Sequence, residues 1–379
     1  MLMEIGEQPN HRPLKVAYLS RGFADYMAGL LEAMTDFNEV YFVCARADES
    51  MLRHLSDRVH VFKSGAPRVS SFGNLIYMRK VARFIRGLNP DIIHVQSGLL
   101  WELLFVARLL RKPVILTRHD VLAHPTDHPY TAIQRLAFEI ELEVASAVIV
   151  HSDCLVKLCC EAHCGHIRGK PVRSIPHGVI SCYGQSNGVL APGSAQVLFF
   201  GRVDKHKGLE VLAQAWTSVR TRLPEARLVI AGPVVAGATK AQVYYRALFA
   251  HFPEVDCRLT RQSEAEVSKL FSESTAIVLP YIEASQSGVL MLAYSFALPP
   301  VVSGVGGLAD VAKDGFNSLT FTPGDSAQLA QALFRIVTDS ELRATLRANI
   351  IFEREHVFSW AINARRTDLL YKEVLAGRR

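Results

Sequence analysis

Short apolar runs alternate along this chain with amphipathic stretches. LKVAYLS (14–20), VYFVCA (40–45), DIIHVQ (91–96), PVILT (113–117), AVIVHS (147–152) and VRSIPHG (172–178) read as strands. Several are almost uninterrupted hydrophobics, as parallel strands buried on both faces are. Helical patterns separate them, for example over 99–110 and 132–144. That alternation predicts βαβ units and a doubly wound sheet. The grammar then restarts with AQVLFFG (195–201), ARLVIAG (226–232), DCRLT (256–260), AIVLPY (276–281), PPVVS (299–303) and SLTFT (318–322). Between the two sets lies ISCYGQSNGVLAPGS (180–194), rich in Gly, Ser and Pro and poor in pattern, which marks a linker. From about Ser326 the chain reads as helix to its end. Two Rossmann-like domains facing each other are expected, with ligands bound at the carboxyl ends of their strands.

One stretch departs from this rhythm. PYIEASQSGVLMLAYSFALPPVVS (280–303) has a single charged residue, Glu283, and the uncharged run continues to Asp310. It is long enough to suggest a membrane span. Pro299-Pro300 and the glycines at 304, 306 and 307 argue instead for a loop, a buried helix over about 287–298, a short strand and a glycine-rich loop.

Composition supports a globular reading. The 379 residues favour two domains, and 49% hydrophobic with 21% charged residues allows large cores. The net charge of +6 is too mild to imply nucleic acid, and no nucleic-acid motif accompanies it. The polar start, MLMEIGEQPNHRPLK, has no apolar signal core, so a cytoplasmic location is the expectation. Residues 75–112 are locally basic. Arg79, Arg83 and Arg86 share one helical face, which reads as a solvated surface opposite a core stripe. The alternative is peripheral contact with anionic headgroups on the inner face of a membrane. Four of the seven cysteines crowd into HSDCLVKLCCEAHCGH with three histidines. The spacing lacks a C-x2-C pair, so buried thiols of a reduced chain are favoured over zinc.

Three strand ends carry candidate chemistry. FFGRVDKHKGLEVL (199–212) runs from strand through loop to helix, with Arg202 and Lys207 in the loop. Cations beside a helix amino terminus suit an anion, although no Walker loop is present. Taken alone, these are two solvated cations. The turn Ser285, Gln286, Ser287, Gly288, Val289 forms a second strand-to-helix junction whose small residues let backbone amides approach a ligand. Two such junctions in one half suit a diphosphate. Glu283 before the turn can accept hydrogen bonds from sugar hydroxyls, or serve only as a charge at a helix start. In the first half, LTRHDVLAHP places His119 and Asp120 just past a strand, where His119 is expected to face the cleft.

GRVDKHKG, EASQSGV, PDIIHVQ, TRHD, VIVHS, IPHGV and VGGLADVAKDGFNSLTFTPGD together resemble the retaining glycosyltransferases of family 4, in the subgroup with EASQSGV and IPHG elements. The resemblance implies the GT-B fold: an acceptor domain over 1–180, a nucleotide-sugar domain over 195–352, and a carboxy-terminal helix over 353–379 that crosses back to the first domain with Trp360 near the crossing. It implies a nucleotide-diphosphate sugar as co-substrate, a glycan or lipid-linked acceptor, and no cofactor or metal. No D-x-D occurs in the chain. By this resemblance Arg202 and Lys207 hold the diphosphate, Glu283 touches the donor sugar, and residues 285–289 offer amides to sugar and phosphate. His119 lies by the transferred sugar, and Gly22 stands where many members have a glycine pair.

Three positions depart from the family pattern. The second glutamate of E-x7-E is Met291, the asparagine of I-P-N-G is His177, and the glycine pair is reduced to Gly22. Met291 puts ribose recognition in question, because a thioether cannot anchor two hydroxyls as a carboxylate does. Two alternatives to transfer stay open: a degenerate GT-B protein that binds nucleotide or a partner glycosyltransferase, and a sugar-nucleotide epimerase.

Overall fold

The computed structural model describes residues 12–20, 22–44, 52–65, 73–96, 111–122, 132–186, 195–234 and 239–377. The helical pattern read over 99–110 lies outside these residues. The first half is built on β1 (Leu14–Ser20), β2 (Asn38–Cys44), β3 (Val59–Lys63), β4 (Ile92–Gln96), β5 (Val114–Thr117), β6 (Ala147–Val150) and β7 (Val172–Ser174). These form one sheet in the order β3-β2-β1-β4-β5-β6-β7, every neighbour parallel. Helices α1 (Ala24–Met34), α2 (Gly73–Leu88), α3 (Ala132–Val144), α4 (Asp153–Ala162) and α5 (Cys164–Ile167) accompany it. The central strands β4, β5 and β6 are buried at every residue, as a sheet covered on both faces requires. β3 escapes the sequence pattern because it is an edge strand with only Val59 fully buried. In α2, Tyr77, Val81 and Ile85 pack inward while Arg79, Arg83 and Arg86 are exposed on the other side.

The second half repeats the plan. β8 (Gln196–Phe200), β9 (Arg227–Ala231), β10 (Val255–Arg258), β11 (Ala276–Leu279), β12 (Pro300–Ser303) and β13 (Leu319–Phe321) lie in the order β10-β9-β8-β11-β12-β13, again all parallel. Between and after them run α6 (Leu209–Arg222), α7 (Thr239–Phe249), α8 (Glu264–Glu273), α9 (Gly288–Ser295), α10 (Gly306–Val311), α11 (Ser326–Thr338), α12 (Ser340–His356) and α13 (Trp360–Ala376). The apolar stretch that resembled a membrane span is α9 and β12. Its residues 290–302 are buried throughout, so its hydrophobicity is that of a protein core. Among the described residues no helix is long and apolar enough to cross a membrane.

The last helix returns to the first half. α13 packs along α1, its Asp368 accepts from the Asn38 amide at 3.1 Å, and the Tyr371 hydroxyl lies 3.0 Å from that of Tyr18. Trp360 marks the crossing: its indole Nε1 donates to the Val179 carbonyl at 2.7 Å. The ring lies where a Cβ on either Gly29 or Gly178 would come within 2.3 Å of it, so both positions must be glycine for the indole to enter. Adjacent to it, the Val179 amide donates to Phe358 O at 3.0 Å.

Candidate functional site

In the second sheet the strand order reverses between β8 and β11, and the loops leaving these neighbours form the crevice where open α/β sheets bind ligands. The loop after β8 is shaped by Asp204. Its carboxylate accepts from the Lys205 amide at 2.8 Å, from Arg202 Nη2 at 3.1 Å, and lies 3.5 Å from the His206 ring. The tight turn over Lys205–Lys207 closes on Gly208, whose φ of +68° opens α6. Lys207 Nζ sits 3.6 Å above the ring of Tyr281, which is buried, so a cation–π contact fixes the ammonium at the end of β11.

The loops lock together backbone to backbone. The Ile282 amide donates to His206 O at 2.8 Å. A Cβ on Gly208 would lie 1.9 Å from Pro280 O, one on Gly306 1.9 Å from Ala284 O, and one on Gly307 2.2 Å from Ser285 O. The loops after β8, β11 and β12 therefore touch at points where any side chain would separate them. A Cβ on Gly201, which has φ +116°, would lie 3.1 Å from Val289 Cγ2, which places the Arg202 loop against the start of α9. Ser287 caps that helix by accepting from the Leu290 amide at 3.2 Å. The amides of Gly288 and Val289 precede the first intrahelical bond and point out of the terminus. Arg202, Lys207 and the 285–289 turn thus meet in one place, with Glu283 exposed beside them. Met291, one turn into α9, is buried in the domain core and does not line this crevice.

The first half contributes a buried histidine cluster. His119, two residues past β5, is not open to the cleft as its strand-end position suggested. Phe23 stacks on its ring with centroids 3.8 Å apart, Tyr26 meets it edge-on, and the imidazole is only 5% exposed. Phe23 itself, in the left-handed region at φ 59° and 41% exposed, forms the outer cover. His119 Nδ1 lies 3.1 Å from His151 Nε2, and Nε2 lies 3.0 Å from Gln96 Oε1. His151 Nδ1 is 2.9 Å from Ile175 O, and His94 Nε2 is 2.7 Å from Thr117 Oγ1. His177 stands beside them, its ring 5.6 Å from that of His151. Burial holds all four imidazoles neutral: His94 and His177 are pushed down to about 3, His151 to about 4, and His119 well below its ordinary value. Gly22, beside Phe23, is exposed, and its amide donates to Ser20 Oγ at 3.3 Å.

The cysteine- and histidine-rich stretch does not gather. Cys159 is buried, Cys154, Cys160 and Cys164 are exposed, and His163 bonds to Val121 O at 2.9 Å. Among the described residues no three His, Cys, Asp or Glu side chains are placed to hold a metal ion. The sequence reading did not identify Asp204 and Tyr281, which hold the two loop cations, or His151 and Gln96, which hold His119. Gln96 closes β4, His151 directly follows β6 and Tyr281 lies two residues past β11, and that was the available signal; Asp204, four residues past β8, carried none.

Known proteins match both halves. The family model described as Glycosyltransferase Family 4 matches residues 21–180, and that described as Glycosyl transferases group 1 matches 194–339. A D-inositol 3-phosphate glycosyltransferase of Nocardioides is 27% identical over 199 residues, which are 49% of this chain and 43% of that protein. An uncharacterised glycosyltransferase of Methanocaldococcus jannaschii is 26% identical over 182 residues, 46% of this chain and 44% of its own length. The matched segment thus spans less than half of each of these relatives. Among solved structures, Anabaena HepE in complex with UDP-glucose superposes with a TM-score of 0.74 at 17% identity, covering 96% of this chain and all of that one. Sucrose-phosphate synthase from Thermosynechococcus elongatus gives 0.74 at 18%, covering 96% and 99%. The shared architecture is GT-B.

Proposed function

We propose that this chain, a GT-B protein with a glycosyltransferase family 4 half and a group 1 glycosyl transferase half, transfers a hexose-type sugar from a nucleotide diphosphate to a hydroxyl of a glycan or lipid-linked acceptor, with retention at the anomeric carbon. The observation that carries the reading is the junction of two cationic side chains with a helix start at the reversal point of the second sheet. Arg202 and Lys207 bind the diphosphate, joined by the amides of Gly288 and Val289. These groups are fixed before substrate arrives, so they stabilise charge growing on the departing diphosphate without rearrangement. Ser285, Gln286 and Ser287 carry the turn that lies along the sugar, and Glu283 accepts from its hydroxyls. Gly22 belongs to the facing wall, on the acceptor side, and His119 lies behind the Phe23 ring that covers it there.

Most of the rate would come from holding donor and acceptor in line between the halves. The acceptor half is tied to the donor half by contacts that a hinge can retain. Tyr183 OH lies 3.3 Å from Asp25 Oδ2, and Arg53 pairs with Glu264 at 3.3 Å. No metal is assigned a role. A lipid-linked acceptor would set the exposed Arg79, Arg83 and Arg86 face of α2 toward an anionic bilayer.

The test is a panel of nucleotide sugars screened for thermal stabilisation, followed by product analysis with the stabilising donor. A donor at 100 times its Kd raises stability by about 2.7 kcal/mol. Stabilisation together with sugar transfer or donor hydrolysis supports the reading. Binding with no turnover, or epimerisation without transfer, rejects it.

A further inference from the structure

Four neighbouring strands of the first sheet end in a continuous line of polar groups. Gln96 closes β4 and is in register with Thr117 of β5, which pairs with Ile149 of β6. His119 and His151 lie two residues beyond Thr117 and Ile149, so the period of two keeps them on one face. The Ile175 carbonyl follows β7, whose Ser174 is opposite Val150. The line therefore runs Gln96, His119, His151, Ile175 O, at 3.0, 3.1 and 2.9 Å.

The protons on this line can be counted. A carbonyl oxygen only accepts, so Ile175 O requires the proton on His151 Nδ1. In the neutral ring His151 Nε2 is then a lone pair. The nitrogen facing it, His119 Nδ1, must carry a proton, which leaves His119 Nε2 as an acceptor. Gln96 Oε1 next to that nitrogen would need a third proton on the two rings and hence a buried positive charge. Turning the Gln96 amide half a turn presents its NH2 instead and leaves the pair neutral; its Oε1 then takes the place of the amide nitrogen 3.5 Å from His94 Nε2, so the neutral His94 ring carries its proton there and accepts from the Tyr371 hydroxyl at Nδ1. Every facing group fits the neutral form: His94, His151 and His177 each disfavour charge on His119, and Tyr26 closes the edge. The Asp120 carboxylate acts in the opposite sense, and on His151.

We propose that His151 is a positioning residue that holds His119 as the Nδ1-protonated tautomer, so that Nε2 is the acceptor a sugar hydroxyl meets. The proposal rests on the reading that His119 lies beside the sugar. A hydroxyl arriving there displaces the Phe23 ring that covers His119 and donates to Nε2 in place of the Gln96 amide. In the opposite tautomer a ring N–H would face that hydroxyl and only the hydroxyl oxygen could be engaged.

The test uses the full chain labelled with 15N-histidine. Two-bond proton–nitrogen correlations distinguish protonated from bare ring nitrogens, and a His119→Asn spectrum identifies the His119 signals. A protonated Nδ1 and bare Nε2 on His119 at pH 7.5 are expected. His151→Leu removes the acceptor and should convert His119 to a tautomer mixture, with donor-dependent turnover down about 10–100-fold, taking the scale of the partners that fix the tautomer of metal-bound histidines. His151→Gln restores an acceptor and should restore both. A bare Nδ1 in the wild type overturns the proposal, and so does an unchanged tautomer in His151→Leu. If His151→Leu does not fold, the wild-type and His151→Gln spectra decide. Full activity in His119→Asn removes His119 from the sugar site instead, a failure of the functional reading that leaves the tautomer result standing.

Discussion

Replacing Gly306 by alanine tests whether the loop after β12 sets the position of the 284–289 turn. Gly306 has φ +44°, and its added Cβ would stand 1.9 Å from Ala284 O and 3.1 Å from that carbonyl's carbon. Gly315 is the control: its φ is +68°, and nothing lies within 4 Å of a Cβ built there. Both alanines incur the left-handed cost, about 1–2 kcal/mol. Only the first also overpacks, and against backbone rather than a yielding side chain, which adds about 1–3 kcal/mol. A domain of this size loses about 2–4 °C per kcal/mol, so Gly306→Ala should melt roughly 2–12 °C below Gly315→Ala. If the chain relieves the clash by moving the Ala284–Ser285 peptide, the turn moves with it. A displacement near 1 Å at a reacting site costs about 100-fold in rate. Calorimetry and donor-dependent turnover on the two variants read both effects. Equal melting temperatures with equal rates would show that the glycine contact carries no positional information.

Arg202→Ala and Lys207→Ala should each lower donor-dependent turnover by roughly 30-fold or more, since losing one partner of a desolvated charge pair costs about 2–5 kcal/mol; near wild-type rates in both remove the clamp. Turnover should be unchanged in excess chelator, and a loss restored by magnesium or manganese would refute this. Trp360→Ala should cost about 3 kcal/mol in denaturant titration, at the lower end for a large aromatic because the ring is only partly buried; a loss below about 1 kcal/mol would mean the crossing is held elsewhere. Stability should fall as pH drops below about 6.5: the unfolded chain then binds protons that His94 and His177, held near 3, and His151, held near 4, refuse in the folded state. Each such group contributes up to about 1.4 kcal/mol per pH unit. Melting temperature measured from pH 7.5 to 5 should flatten in His177→Asn, and an unchanged slope would contradict the buried, neutral state of that ring.

The sheets were legible because burial on both faces leaves a one-letter signature. AIVL at 276–279 and VILT at 114–117 are hydrophobic or small at every position and became central strands. Val59–Lys63 was not legible, since an edge strand with exposed His60 and Val61 keeps too little of that signature. The run VRSIPHG was read as strand to residue 178. The strand stops at Ser174 because the chain must leave the sheet to meet α13, where Pro176 O accepts from Asn363 and Val179 O from Trp360. The two glycines that admit Trp360, at 29 and 178, lie far apart in sequence and have no local signature.

The site was legible where chemistry and backbone need coincide, and not where side chains hold side chains. Arg202, Lys207 and the Ser-Gln-Ser-Gly turn stand out because two strand-to-helix junctions in one half carry them together; either cation alone reads as solvated surface. Met291 illustrates the opposite case. Helical spacing from Glu283 permitted it to face a nucleotide, but the intervening turn is not helix: α9 begins only at Gly288. The register counted from Glu283 is therefore lost at Ser287, and residue 291 is buried in the core of the second half, its carbonyl accepting from the Ile180 amide at 3.4 Å. A buried thioether there cannot weaken ribose recognition by replacing a carboxylate in the crevice, because residue 291 does not reach the crevice. Any group that reads a ribose therefore has to lie on the strand-end loops. Met291→Glu should accordingly destabilise the protein by burying an unpaired carboxylate and should not tighten donor binding. Tighter binding by a folded Met291→Glu protein would place the side chain back in the crevice.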